Sequence, residues 1–304
     1  MKKNSRIVII GDSISTFKGS APAGWRVYYD DVIASETGVL SVDDTWWKLL
    51  GKKLCASEVR SYSYSGSMIE GKGFPAACSG ERIQAVVDDD FNPDTFIIFM
   101  GINDYGWGGS LNQAKGGSEA KSYMVEESFS DTESFLSDES SLADFESAYT
   151  QLIKNINDNF AEAEVFCCSL LPTYISGIDI DTFTYNLRGI SLFDYNKVID
   201  SACKNSASAT YLDLLGYSLA YETLDGTHPT SLGMQQIAEL IKCAISGESP
   251  TDLLGFHNSE PVCKDVCANC EYAYSTTKKW HCVCTRNSTQ AKNIVDDYMQ
   301  KITK

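Results

Sequence analysis

Short runs of consecutive apolar residues alternate along this chain with stretches in which apolar positions recur every three or four residues. The first run, Ile7-Val8-Ile9-Ile10, is mostly β-branched and stops at Gly11-Asp12-Ser13. A run apolar at every position predicts a strand buried on both faces, as in a parallel sheet. Further strands are predicted over 58–63, 95–100, 165–171 and 211–214, of which Thr95-Phe96-Ile97-Ile98-Phe99-Met100 is the plainest. Helical spacing marks Leu142, Phe145, Tyr149, Leu152 and Ile156, with Ser141 and Asp144 resembling a capping box for a helix over 141–160. The same spacing recurs in Leu192, Tyr195, Ile199 and Ala202, and in Leu232, Ile237, Leu240, Ile241 and Ala244, a helix ending before Gly247. Shorter helices are predicted over 45–50, behind Asp43 and Asp44, and over 82–87. Strand and helix alternate from residue 5 to about 247, which predicts an α/β fold. It is a three-layer α/β/α sandwich around a five-stranded parallel sheet with right-handed crossovers.

Three stretches fall outside this alternation. Gly19 to Tyr29, rich in glycine and aromatic residues, reads as a surface loop. Residues from about 107 to 140 turn to Gly, Ser and acidic side chains without periodicity, and read as an insertion, either a lid or a solvated loop. Residues 248–304 form a small Cys-rich appendage, so the chain divides into an α/β domain over 1–247 and an appendage over 248–304.

The formal net charge of -16 argues against nucleic acid and anionic membranes as partners, since both are dense in negative charge. No run approaches the roughly 20 apolar residues of a membrane span. Lys2 and Lys3 precede an apolar run too short for a signal peptide, which predicts a cytoplasmic chain as written, or a secreted one if a signal has been removed. Of eleven cysteines, Cys55, Cys78, Cys167, Cys168, Cys203 and Cys243 are scattered and read as reduced core residues.

Ser13 would stand at the carboxyl end of a buried strand, where open α/β sheets bind ligands. Its hydroxyl would be exposed there, with backbone N–H groups free at a following helix start, although a serine in this position also serves as a simple cap. Asp225-Gly226-Thr227-His228-Pro229 carries one of only three histidines. A carboxylate three residues before a histidine can hold and polarise the imidazole, which in turn can take the proton of a serine hydroxyl. Acyl transfer needs a nucleophile, a base, an orienter and oxyanion donors; Ser13, His228, Asp225, Gly66 and Asn103 all fall at predicted strand ends or loops.

Gly11-Asp12-Ser13-Ile14-Ser15, Gly66 within Tyr64-Ser65-Gly66-Ser67, Gly101-Ile102-Asn103-Asp104 and Asp225-Gly226-Thr227-His228-Pro229 resemble, in order, the four signature blocks of the GDSL-type, or SGNH, hydrolases. The resemblance covers roughly residues 5–247 and implies a flavodoxin-like fold and a serine esterase that needs no cofactor for catalysis. It implies Ser13 as nucleophile, His228 as general base and acid, and Asp225 as its orienter, with the Ser13 and Gly66 N–H groups and the Asn103 amide as oxyanion hole. Asp12 then braces the nucleophile loop. Asp44-Thr45-Trp46-Trp47 is similar to a stretch of other members, which implies that Asp44, Trp46 and Trp47, with Tyr105, line the substrate cleft; aromatic core filling is the alternative. Trp25, Tyr28, Tyr105 and Trp107 flank the blocks and could stack on a sugar ring. The implied substrates are small or carbohydrate-linked acyl esters, with lipase or thioesterase activity and a non-catalytic glycan-binding protein as alternatives. The expected partner is therefore a small-molecule or glycan ester, and the oligomeric state stays open.

Cys263, Cys267 and Cys270, then Cys282 and Cys284 beside His281, form a cluster outside that pattern. Close thiol pairs separated by a short loop suit a structural tetrahedral zinc in a reducing compartment and a disulfide-stapled appendage in an oxidising one. Five thiols leave one unpaired within the cluster, His281 reads as incidental, and neither arrangement makes the cluster catalytic.

Overall fold

In a computed structural model of the chain, residues 4–22, 24–71, 73–107, 142–177, 180–181, 191–258, 273–275 and 282–284 are described. The opening apolar run becomes β1 (Arg6–Gly11), whose Ile7 to Ile10 side chains are all buried. After it come α1 (Asp31–Thr37), α2 (Trp46–Lys53), β2 (Glu58–Ser63), α3 (Gly80–Asp88), β3 (Thr95–Phe99) and α4 (Ile102–Trp107). The later elements are α5 (Leu142–Asn159), β4 (Glu164–Cys168), β5 (Thr173–Ile175), β6 (Ile180–Asp181), α6 (Leu192–Lys204), β7 (Ala209–Leu212), β8 (Leu219–Thr223), α7 (Ser231–Ser246) and β9 (His257–Asn258). A last antiparallel pair is β10 (Ala273–Ser275) with β11 (Cys282–Cys284).

The central sheet has five strands in the order β2-β1-β3-β4-β7, all parallel. Helix α2 packs against α7, and α5 packs against α3 and α6, which makes the helical layers of the predicted three-layer sandwich. The chain steps from β1 to β2 on one side and returns to β3 on the other, so the strand order reverses beside β1, the point at which open α/β sheets bind ligands. Register sharpens this: Gly11 of β1 pairs with Ser63 of β2 and Phe99 of β3, so three strands end at one level. The turns after those ends carry Ser13, Gly66 and Asn103.

Several boundaries differ from the sequence reading for identifiable reasons. The strand expected to reach Leu171 ends at Cys168, because the Asn196 side chain takes both the N–H of Leu170 (2.7 Å) and its carbonyl (3.0 Å). The strand expected over 211–214 runs over Ala209–Leu212, since the Leu214 N–H turns back to the Leu212 carbonyl at 2.9 Å. The expected surface loop over Gly19–Tyr29 is anchored inward: Tyr29 is fully buried and donates to the Pro229 carbonyl at 2.8 Å. A second sheet, in the order β6-β5-β8-β9, has no counterpart among the predicted elements, because its strands are too short to show a period. Cys167, Cys168, Cys203 and Cys243 are buried free thiols, Cys78 is partly covered, and Cys55 is exposed just past the end of α2 rather than in the core.

Ser141 and the 107–140 insertion beyond Trp107 lie outside the described residues, as do Cys263, Cys267, Cys270 and His281; Cys282 and Cys284 are placed only as backbone in β11. The zinc and disulfide expectations therefore both fall outside the described residues. No helix among the described residues is long and apolar enough to cross a membrane.

Helix α7 begins under tight packing. A Cβ on Gly233 would come within 1.9 Å of the Glu222 carbonyl oxygen and 2.9 Å of Pro229 Cβ. Gly233→Ala must therefore push the start of α7 off β8, and we expect a loss of roughly 1–3 kcal/mol. Chemical denaturation checks this, and an unchanged midpoint would contradict the close approach.

Candidate active site

The chain leaves β1 through a single 3₁₀ turn, Ser13–Ser15, which is the helix start expected there. Asp12 stands before it, and its Oδ1 accepts the Ile14 N–H at 3.0 Å, so the Asp12 side chain braces the turn as expected. The Thr16 hydroxyl donates to the Ser13 carbonyl at 2.9 Å. The turn is thus held at both ends, and Ser13 itself is almost fully covered.

Asp225 and His228 sit in a hairpin-like turn that leaves β8. A Thr223–Pro229 bridge closes the turn, with the Leu224 N–H donating to the His228 carbonyl at 2.9 Å. Asp225 Oδ1 accepts two backbone N–H groups, from Thr227 at 3.0 Å and His228 at 2.8 Å, the side-chain turn that aspartate favours. Gly226 takes φ +92 in this turn, where a side chain would strain the backbone. Asp225 Oδ2 lies 2.7 Å from His228 Nδ1, and His228 Nε2 lies 2.9 Å from Ser13 Oγ. Burial acts to raise the Asp225 carboxyl, but the charge of His228, its ring and backbone donors and the Thr227 N–H outweigh burial and hold it well below the usual range. An ionised carboxylate only accepts, so Nδ1 carries the ring proton and Nε2 is free to accept from Ser13. Residues 215 apart in the chain thus form a continuous serine–histidine–aspartate line.

The opposite wall is built from β2 and β3. The Ser67 N–H donates to the Tyr64 carbonyl at 3.1 Å, and Gly66 takes φ +75 as third residue, the left-handed position that such turns give to glycine. Asn103, in the first turn of α4, is buried and donates through Nδ2 to the Ser67 carbonyl at 2.8 Å. One amide N–H of Asn103 thereby locks it to the Gly66 turn, and the second remains to be directed elsewhere. Asp104 completes the seam: its two oxygens accept from the N–H groups of Ile69 (2.9 Å) and Glu70 (3.0 Å). Burial and the neighbouring Glu70 push the Asp104 carboxyl well above its usual range.

Arg82 is a residue that no sequence signal singled out. It is fully buried, and its guanidinium donates to the carbonyls of Gly11 (2.7 Å), Tyr62 (3.1 Å) and Pro75 and to Ser67 Oγ (2.8 Å). It also lies over the Tyr64 ring, 4.7 Å from the centroid. One side chain therefore ties the end of the Ser13 strand to the Gly66 turn. Burial lowers its pKa to about 10, so it stays charged at neutral pH.

The residues expected to line a cleft have other contacts. Trp46 and Trp47 are buried; their indole N–H groups donate to Ser15 Oγ and to the Ser15 carbonyl, each at 3.1 Å. Asp44 accepts from the N–H and the hydroxyl of Ser41, at 2.8 and 2.9 Å. Tyr105 is buried with its ring edge-on to Tyr195 at 5.7 Å. The two tryptophans support the Ser13 turn, Asp44 caps the turn before α2, and Tyr105 packs against α6. One face of the Tyr28 ring lies flat on His228. Trp25 packs edge-on to Tyr64 at 5.0 Å and Phe74 at 5.2 Å, a half-buried aromatic group beside the Gly66 turn.

Asp12 adds a pH dependence. Its pKa is raised to about 7 by burial, with the Ile14 N–H and the charges of His228 and Arg82 only partly opposing. Ile14, Phe99, Met100, Leu170 and Tyr221 enclose it in apolar surroundings. Unfolded aspartate titrates near about 3.9, so between there and about 7 the unfolded chain binds fewer protons than the folded one, and stability falls as pH rises. The slope from this one group approaches about 1.4 kcal/mol per pH unit. Asp12→Asn keeps the acceptor for Ile14 and removes the titration, so the difference in stability between acid and neutral pH should shrink. Urea midpoints at the two pH values test this, and equal pH dependence in both proteins would contradict it.

A sequence-family profile described as GDSL-like Lipase/Acylhydrolase matches residues 5–205, ending before the Asp225–His228 turn. No curated protein matches the chain. Among solved structures, a GDSL-like lipase candidate from Bacteroides uniformis aligns with a TM-score of 0.52 at 21% identity, over 80% of this chain and 96% of its own. A protein from Lactobacillus plantarum aligns with a TM-score of 0.50 at 18% identity, over 81% of this chain and 99% of its own. Both likenesses are of the fold.

Proposed function

The chain belongs to the GDSL-like lipase/acylhydrolase family, whose members are ester-hydrolysing serine hydrolases, and on that premise we propose that Ser13, His228 and Asp225 hydrolyse small or carbohydrate-linked acyl esters. The observation that carries this reading is the line from Ser13 Oγ through the imidazole to Asp225, at 2.9 and 2.7 Å. A serine hydroxyl is a weak nucleophile until a base within this reach takes its proton.

Ser13 Oγ attacks the ester carbonyl carbon as its proton passes to His228 Nε2, and the carbonyl oxygen becomes an oxyanion. The N–H groups of Ser13 and Gly66 and the second amide N–H of Asn103 receive that charge; an amide donor of this kind contributes roughly 3–4 kcal/mol to the transition state. Collapse expels the alcohol, which takes the proton from Nε2 and leaves an acyl-serine. Water then attacks with His228 as base, and the acid product departs as Ser13 regains its proton. Asp225, ionised throughout, holds the imidazole and balances its positive charge in both steps. Every group used belongs to the chain, so this reading includes no cofactor.

We place the catalytic unit over 1–247, because α7, which follows the His228 turn, packs against α2 and closes the sandwich. The 248–304 appendage is then separate from the chemistry, and its cysteines are candidates for structural zinc or for disulfides. The half-buried rings of Trp25 and Phe74, packed on the buried Tyr64 beside the Gly66 turn, favour a cyclic alcohol portion such as a sugar.

A fluorophosphonate probe tests the reading directly. It should label the native protein, with the adduct mapped by mass spectrometry to the peptide containing Ser13. An ester panel should then show turnover on acetylated sugars and short aryl esters. Absence of labelling would overturn the catalytic reading in favour of a glycan-binding protein, and preference for long acyl chains or thioesters would overturn the substrate class alone.

A further inference from the structure

Tyr28 touches His228 and Asp225 directly and reaches Ser13 through Thr16. Its ring is stacked on the His228 imidazole, with centroids 3.4 Å apart and planes 6° from parallel. Its hydroxyl donates to Asp225 Oδ2 at 3.1 Å, the oxygen that also faces His228 Nδ1. Its backbone N–H donates to Thr16 Oγ1 at 2.9 Å, and that hydroxyl donates in turn to the Ser13 carbonyl. The neighbouring Tyr29, fully buried, holds the same turn from the other end through the Pro229 carbonyl. Adjacent tyrosines on one loop thus grip both sides of His228.

We infer that Tyr28 is a positioning residue for the histidine base, fixing the imidazole plane with its ring and sharing the Asp225 carboxylate through its hydroxyl; the inference rests on the catalytic reading above. An imidazole held only at Nδ1 can swing about that hydrogen bond, and such a swing carries Nε2 away from Ser13. A flat ring 3.4 Å away blocks it. The two contacts act oppositely on basicity. The π face favours the imidazolium that forms during attack, and the hydroxyl drains negative charge from Asp225 and weakens its hold on that imidazolium. Among the described residues, the titratable groups facing the imidazole are Asp225 from its own turn, Asp12 from the Ser13 turn and Tyr28 itself. Tyr29 and Tyr221 stand against Asp225.

Substitution separates the contacts. Tyr28→Phe keeps the ring and loses the donor, so kcat should fall about three- to tenfold and the acid limb of the kcat/KM profile should move to higher pH. Tyr28→Leu loses both, so kcat should fall about ten- to a hundredfold, with KM within about twofold and the acid limb at lower pH than in Tyr28→Phe. Most of the rate lost in Tyr28→Leu should therefore be recovered in Tyr28→Phe. A rise in KM at unchanged kcat would overturn the inference and make Tyr28 part of the substrate pocket. Unchanged kcat and unchanged pH profiles in Tyr28→Phe would overturn it even if Tyr28→Leu does not fold. Fluorophosphonate labelling of native Ser13 is run alongside: no labelling brings down the catalytic reading and this inference with it, whereas labelling with unaffected variants brings down this inference alone.

Discussion

Ser13→Ala is expected to lower kcat on a short p-nitrophenyl ester by about 10⁴-fold or more while leaving the fold intact. The size follows from the way the site works as a unit. With Oγ gone, His228 has no proton to take, and the Gly66 turn and Asn103 have no covalent intermediate to stabilise. The residual rate is the contribution of binding and oxyanion donors acting on water. Stability should change little, because the hydroxyl's contact is the bond to His228 Nε2 at 2.9 Å, and removing it leaves a small gap beside a turn held by Asp12 and Thr16. Steady-state kinetics beside a thermal melt measures both quantities. Turnover near that of the native protein would sink Ser13 as nucleophile.

Arg82→Met should produce the largest loss of stability, roughly 3–5 kcal/mol. The methionine fills much of the volume, but it removes the guanidinium donors from the carbonyls of Gly11, Tyr62 and Pro75 and from the Ser67 hydroxyl, leaving Pro75 the Ser67 hydroxyl at 2.9 Å and Gly11 the long Tyr64 N–H contact at 3.4 Å. A buried acceptor stripped of its donor keeps its desolvation cost, about 1–3 kcal/mol each before relaxation. Arg82→Lys should recover only part, since an ammonium cannot reproduce the planar fork that spans acceptors on separate strands. Activity should fall in step, because Gly11 precedes the Ser13 turn and Ser67 carries the carbonyl that holds Asn103. Urea denaturation at neutral pH checks the stability, and a midpoint shift equivalent to less than about 1 kcal/mol would show that water or a neighbour replaces the guanidinium.

These two residues mark the limits of what could be read from the chain. Local pattern placed Ser13 at a strand end, since an all-apolar run must be buried and a glycine and two polar residues at its end must form the exit turn; its role as nucleophile came from the Asp225–His228 pair and the family resemblance. The same logic found Asn103 after the second such run and placed the helices from their spacing. Asp225 and His228 were legible as a pair three residues apart. The local sequence was therefore sufficient for the alternation of strands and helices, the ends where chemistry sits, and the residue types able to perform acyl transfer. Tertiary structure alone decided what those residues touch. Arg82 lies in a short amphipathic helix and looks like a solvated charge until its carbonyl partners, up to 71 residues away, are assembled around it. Tyr28 was one of several aromatics flanking the blocks, and only the fold of the Asp225 turn, 197 residues on, gave it a partner. Trp46 and Trp47 read equally as a cleft wall or as core filling, and their indole N–H groups support the Ser13 turn. Hydrophobic periodicity reports that a side chain leaves water; it carries no information about which distant surface receives it. That is set by strand order and register, and here by the level at which Gly11, Ser63 and Phe99 end side by side.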